Sequence, residues 1–79
     1  MDYDYREMGQ LIRKLRKDSG ISQDVLSGLA GIGRSHLAMI ETGRKNASIE
    51  TLWRISAAMD ITISELFSKY ESAEKERNH

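Results

Sequence analysis

Between positions 23 and 46 this 79-residue chain gathers side chains suited to a polyanion that also offers hydrogen-bonding edges. Gln23 has an amide that can donate to a phosphate oxygen, and it opens a short helix whose end offers free N–H groups. Arg34, Ser35, His36, Ala38 and Met39 fall on the outward positions of a second short helix. A guanidinium can take guanine O6 and N7 as a fork, a serine hydroxyl can donate or accept, and a methionine tip suits a thymine methyl group. Arg44, Lys45 and Asn46 follow directly, a basic loop fitted to clamp a phosphate backbone. The chemistry expected of this set is contact with double-stranded DNA.

Reactive chemistry finds no comparable grouping. Serines and histidines occur, but no acid stands beside them at a known spacing to orient a nucleophile's base. Glu74 and Glu76 fall in a polar tail expected to be solvated. Gly31-Ile32-Gly33 reads as a turn between helices rather than a phosphate loop. There is no cysteine, and His36 and His79 cannot build a metal cage between them. The expectation is no catalytic residue, no metal, no cofactor and no small-molecule ligand.

Charge sharpens the DNA reading. Lys and Arg total 12 against 12 Asp and Glu, a sum that argues against a nucleic-acid partner. The distribution argues the other way. Residues 1–7 carry a net −2, residues 13–45 a net +4, and residues 50–79 a net −2. A basic middle between acidic ends is the asymmetry an anionic partner would use.

The elements that must position these residues are all helical. There is no proline and no sustained alternating run, while 39% hydrophobic and 30% charged residues describe an ordinary soluble fold. No apolar run is long enough for a membrane span, and the acidic start MDYDYRE is the opposite of a secretory signal. A cytoplasmic location without membrane contact is expected.

Met8, Leu11, Ile12 and Leu15 form an amphipathic stripe over a helix at about 5–18. Asp4 and Glu7 give a capping-type start and Gly20 a stop. Arg13, Lys14 and Lys17 decorate its solvated faces. Ser22 caps a helix over 23–30, Asp24 suits its dipole, and Leu26 and Ala30 face inward. Small Ser27 and Gly28 leave room there for another helix.

Gly33 opens a third helix over 34–42 with Leu37 and Ile40 inward, and Gly43 stops it. Ser48 caps a fourth helix over 49–58, with Ile49, Leu52 and Ile55 inward. Thr62 and Glu65 form a capping box for a fifth, striped by Ile63, Leu66, Phe67 and Tyr70. The polar stretch after Tyr70 is expected to fray. The length allows one domain, residues 1–79, with the C-terminal helix and tail at 63–79. One core is expected from Met8, Ile12, Leu15, Leu26, Ala30, Ile32, Leu37, Ile40, Leu52, Ile55, Ile61 and Leu66.

Helices two and three, about 23–42, are short and joined by a tight glycine turn, which describes a helix-turn-helix. In that motif the first helix crosses the phosphate backbone and the second enters the major groove. Residues 9–67 resemble the Cro and phage-repressor (XRE-like) type. The residues that carry the resemblance run through Ile12-Arg13-Lys14-Leu15-Arg16, Gly20-Ile21-Ser22-Gln23, Leu26, Ala30-Gly31-Ile32, Arg34-Ser35, Leu37, Ile40-Glu41 and Gly43-Arg44. They continue through Asn46, Ser48-Ile49-Glu50-Thr51-Leu52, Ile55 and Ile61-Thr62-Ile63-Ser64-Glu65-Leu66-Phe67. Arg34-Ser35-His36, and a loop from Arg44 to Ser48 without proline, are similar to restriction–modification controller proteins.

The resemblance implies an all-α, five-helix, phage-repressor-like DNA-binding domain. It implies phosphate contacts from Gln23 and Thr42, base contacts from Arg34, Ser35, His36 and Met39, and a buried structural ion pair between Arg16 and Glu41. It implies a homodimer through the last two helices, from Trp53, Met59, Ile63, Phe67 and Tyr70. Two recognition helices would then sit roughly 34 Å apart, one DNA turn.

Four positions depart from the family pattern. Gly33 stands where Ser or Thr is common, Ser27 where Ala is usual, Asp60 where Gly is usual, and Thr42 where a longer polar residue is common. The function implied is a sequence-specific, dimeric transcriptional regulator. The competing reading is an antitoxin or anti-repressor-like protein-interaction module on the same fold, to which apolar Val25, Leu29 and Trp53 and the zero net charge would belong.

Overall fold

Helices start where the chain supplies an acceptor for their free N–H groups. A computed structural model describes residues 2–77 and shows five helices with no strand among them: α1 (Tyr5–Asp18), α2 (Gln23–Ala30), α3 (Arg34–Glu41), α4 (Ile49–Ala58) and α5 (Ile63–Arg77). Asp4 Oδ1 accepts from Arg6 N at 2.9 Å. The Ser22 and Ser48 hydroxyls accept from Val25 N and Thr51 N, each at 3.1 Å. Thr62 and Glu65 close a full capping box, each side chain accepting the other's backbone N–H at 3.0 Å. Gly33 gives α3 no side-chain cap. Asp60 has a positive φ (59°) and makes the left-handed turn before α5 that its short polar side chain tolerates.

The apolar stripes meet in one core. Met8, Ile12, Leu26, Leu37, Ile40, Leu52, Ile55 and Leu66 are almost fully buried, with Ala30 beside them. Leu15, Ile32 and Ile61 are only half-buried and pack against that core rather than within it. α2 packs on α4, α3 on α1 and α2, and α5 closes the bundle against α4 and α1.

Several expectations are corrected. Ile49, placed inward by its spacing, is 64% exposed. It is the first residue of α4, one turn ahead of the buried Leu52. Tyr70, assigned above to a subunit interface, is buried in the chain's own core at 3% exposure. Its hydroxyl accepts from Asp4 N at 2.8 Å, and the Tyr3 ring lies 5.3 Å from Tyr70 and 5.9 Å from Phe67. The start of the chain thus covers this part of α5. For the same reason the capping box at α1 is only half formed: the Asp4 N–H is taken by Tyr70, and Glu7 pairs with Arg77 instead.

The tail does not fray after Tyr70. α5 runs to Arg77, whose guanidinium joins Glu7 of α1 to Glu74 of α5. Glu74 is buried, not solvated, whereas Glu76 is exposed.

Ser27 is buried in α2, which packs on α4, but Gly28 beside it makes no close approach. Gly28 is exposed, and a Cβ there would meet nothing within 4 Å. A Cβ on Gly9, in the middle of α1, would overlap the carbonyl oxygen of Ile40 in α3. Gly9 is therefore what lets α1 lie directly on the end of α3.

Candidate nucleic-acid interface

α3 divides cleanly. Leu37 and Ile40 anchor one side in the core, and the opposite side faces solvent. Arg34 and Ser35 are exposed at its N-terminus, Met39 is exposed one turn on, and His36 and Ala38 are half-buried. Arg34 Nε lies 3.1 Å from Asp24 Oδ1 of α2, both side chains largely in solvent. Such an exposed pair contributes little, so it leaves Arg34 free to exchange partners.

Beyond α3 the chain folds back on the helix end. The backbone N–H groups of Arg44 and Lys45 both donate to Met39 O, at 2.8 and 3.2 Å. This holds the loop beside the outward face of α3, with the side chains of Arg44, Lys45 and Asn46 exposed. The Thr42 hydroxyl donates back to Ala38 O at 2.9 Å.

Behind this face sits a buried polar network. Arg16 Nε donates to Glu41 Oε2 at 2.8 Å and Nη2 to Glu41 Oε1 at 3.0 Å, a bidentate pair with both side chains almost out of water. Arg16 Nη1 donates to Ile21 O at 2.9 Å. The hydrogen-bonded Glu41 carboxylate holds the Arg16 guanidinium above its usual range. Gln23 Nε2 donates to Glu41 Oε1 at 3.0 Å. The Arg16–Glu41 pair thus ties α1, the turn before α2, the first residue of α2 and the end of α3.

Arg13, Lys14 and Lys17 of α1 are exposed and line a shallow groove that reaches Glu41. Lys14 is paired with Asp18 at 3.1 Å. They extend the positive field on the α1 side of α3.

The residues assigned to dimerisation divide. Trp53 is 60% exposed, and Met59 and Ile63 are half-buried. Trp53, Ala57, Ile61 and Ile63 line a shallow groove where α4 meets α5. Phe67 is half-buried beside Tyr3, and Tyr70 is withdrawn into the core. Gly9 is the residue sequence reasoning missed. Its signal was available: a glycine inside a strongly striped helix, serving no turn.

Among the described residues no group of three or more His, Cys, Asp or Glu is placed to hold a metal ion, and no helix is long and apolar enough to cross a membrane.

A family model described as Helix-turn-helix matches residues 12–66. The chain belongs to this family, of the XRE type. It is a family of DNA-binding transcriptional regulators. The control protein C.MunI of Mycoplasma sp. is 39% identical over 64 residues, covering 80% of this chain and 86% of that protein. The HTH-type transcriptional regulator SinR of Bacillus subtilis is 34% identical over 68 residues, and the match spans 61% of that regulator.

Among solved structures, the restriction–modification controller protein C.AhdI from Aeromonas hydrophila superposes with a TM-score of 0.76 at 36% identity, covering 80% of this chain and 96% of that one. The controller C.Esp1396I, solved as a tetramer in complex with its natural 35 base-pair operator, shares the fold at a TM-score of 0.83 and 19% identity, covering 91% and 95%. The matched residues 12–66 take in the second half of α1, all of α2, α3 and α4, and the start of α5.

Proposed function

We propose that the protein is a sequence-specific, DNA-binding transcriptional regulator that binds an operator as a homodimer, with α3 in the major groove and no cofactor or small-molecule ligand. The observation that carries this reading is the two-sided α3: Leu37 and Ile40 are sealed in the core while Arg34, Ser35 and Met39 stand in solvent. A rigid helix with a polar, exposed N-terminus on a helix-turn-helix is what major-groove readout requires. Arg34, Ser35, His36 and Met39 meet base edges, with Arg34 forking a guanine. Gln23, Arg44, Lys45 and Asn46 meet phosphates. Thr42 reaches a phosphate only by giving up its bond to Ala38, because the hydroxyl has a single proton.

The likeness to C.MunI and C.AhdI supports a controller of a restriction–modification system, acting in the cytoplasm. The whole described chain then acts as one binding domain.

Sequence selection from a random DNA pool tests the reading. Enrichment of a two-fold-related site is expected. A pool that stays random would leave the fold to the protein-interaction role, with Leu29 and Trp53 as its contact surface. On an enriched site, Arg34→Ala is expected to cost about 1–3 kcal/mol of discrimination and relax one base position. Lys45→Ala weakens all sequences alike and flattens the salt slope by about one. Equal losses on specific and random DNA for both variants would contradict the division of labour.

Dimerisation falls to Trp53 with Ile63 and Met59, since Tyr70 and Phe67 are occupied within the chain. Trp53→Glu places a charge on that groove. Sedimentation is expected to show monomer, with operator affinity lost. A variant that still sediments as a dimer moves the interface off α4.

A further inference from the structure

Glu41 stands at the end of α3, outside the outward face, yet it holds a residue that is meant for DNA. A carboxylate has only acceptors, so the Gln23 amide must turn its NH2 group, not its carbonyl, toward Glu41. That NH2 group has two protons. One is committed to Glu41, 3.0 Å away, and the second projects from the other side of the nitrogen. Gln23 is half-buried at the first turn of α2, so its amide reaches the surface while its hydrogen-bond partner lies beneath it.

The charge arrangement removes the obvious objection. A bare carboxylate beside a phosphate would repel it. Here the Arg16 guanidinium grips both Glu41 oxygens from below, and the Glu41 side chain has no solvent exposure. The pair presents the Gln23 nitrogen with a held orientation and little net charge. An amide on a free glutamine has several rotatable bonds to freeze before it can donate to a phosphate. An amide already held by a buried acceptor has lost that freedom on folding, so binding is not charged for it.

We propose that Glu41, braced by Arg16, is a positioning residue for DNA binding: it fixes the Gln23 amide so that its second N–H is aimed at a phosphate. The inference rests on the reading of Gln23 as a phosphate contact.

The experiment is a binding cycle on a duplex enriched from the random pool and on a scrambled duplex, each over a salt series. Gln23→Ala tests the contact itself. It is expected to weaken both duplexes about tenfold, as loss of a hydrogen bond to a charged group does. The salt slope should not change, because a neutral amide displaces no counterion. No loss in Gln23→Ala would remove the contact and reduce Gln23 to a strut, a failure of the earlier reading. The positioning claim is tested separately in the double variant Arg16→Met/Glu41→Leu, whose helical circular dichroism and melting are checked first.

This folded double variant is expected to bind about tenfold more weakly on both duplexes, with an unchanged salt slope. Adding Gln23→Ala to it should cost nothing further. Native affinity in the double variant, or a second full loss on adding Gln23→Ala, overturns the proposal. If the double variant does not fold, NMR of the native protein decides. The Gln23 side-chain NH2 should keep its two inequivalent, hydrogen-bonded proton signals when the enriched duplex is added. Collapse of that pair toward free-amide shifts on binding would overturn the proposal, since the bond to Glu41 would then break when DNA arrives.

Discussion

Glu41→Ala is expected to lose about 3–5 kcal/mol of folding stability, because it leaves the buried Arg16 guanidinium with only Ile21 O to accept from it. A chain of this length has roughly 4–12 kcal/mol in total, so the variant stands near the edge of folding. The midpoint of a thermal melt should fall by roughly 12–40 °C, since each kcal/mol moves a domain of this size by about 4–8 °C. Gln23 would lose its acceptor in the same step.

The companion variant, Arg16→Met/Glu41→Leu, removes both charges and should recover most of the loss, as apolar replacement of buried ion pairs does elsewhere. Far-UV circular dichroism against temperature measures both. If Glu41→Ala melts within a few degrees of the native protein, the pair does not hold α1 to α3.

The second large effect concerns Gly9, and two rules disagree about its sign. Helix propensity alone makes Gly9→Ala stabilising by about 1 kcal/mol. The structure makes it destabilising. The new Cβ would overlap Ile40 O and come to 3.0 Å from Ile40 C, and both are backbone atoms that cannot rotate away. α1 must lift from α3, which opens the contact beside Glu41 and strains a closely packed core. Over-packing of this kind costs about 1–3 kcal/mol and occasionally more, enough to reverse the propensity gain.

Gly28→Ala is the matched control. Gly28 sits in a helix with open space around its Cα, so the same substitution should stabilise by up to about 1 kcal/mol. Chemical denaturation of the two alanine variants should therefore shift in opposite directions. Parallel shifts would show that the approach of α1 to α3 tolerates a methyl group.

Some features of this protein were legible in one dimension because their causes act within a turn or two of chain. Ser22, Ser48 and the Thr62–Glu65 box each bond a backbone group three residues away, so the starts of α2, α4 and α5 follow from residue type. The helical period sorts α3 into buried Leu37 and Ile40 and exposed Arg34, Ser35 and Met39 for the same reason. The helix-turn-helix and its outward face were thus readable from spacing.

What the tertiary structure alone decided involves partners far apart in the chain. Tyr70 reads as one more member of an apolar stripe until Asp4, 66 residues away, donates to its hydroxyl. Arg77 and Glu74 read as a solvated tail until Glu7 arrives from α1. Gly9 has no role along its own helix until Ile40 lies against it. Ile49 reads as core until α4 is seen to begin with it at the surface. Capping and amphipathic periodicity are set by neighbours along one helix. A cross-chain hydrogen bond, an ion pair or a backbone approach depends on where two helices come to rest against each other, and no local spacing encodes that distance.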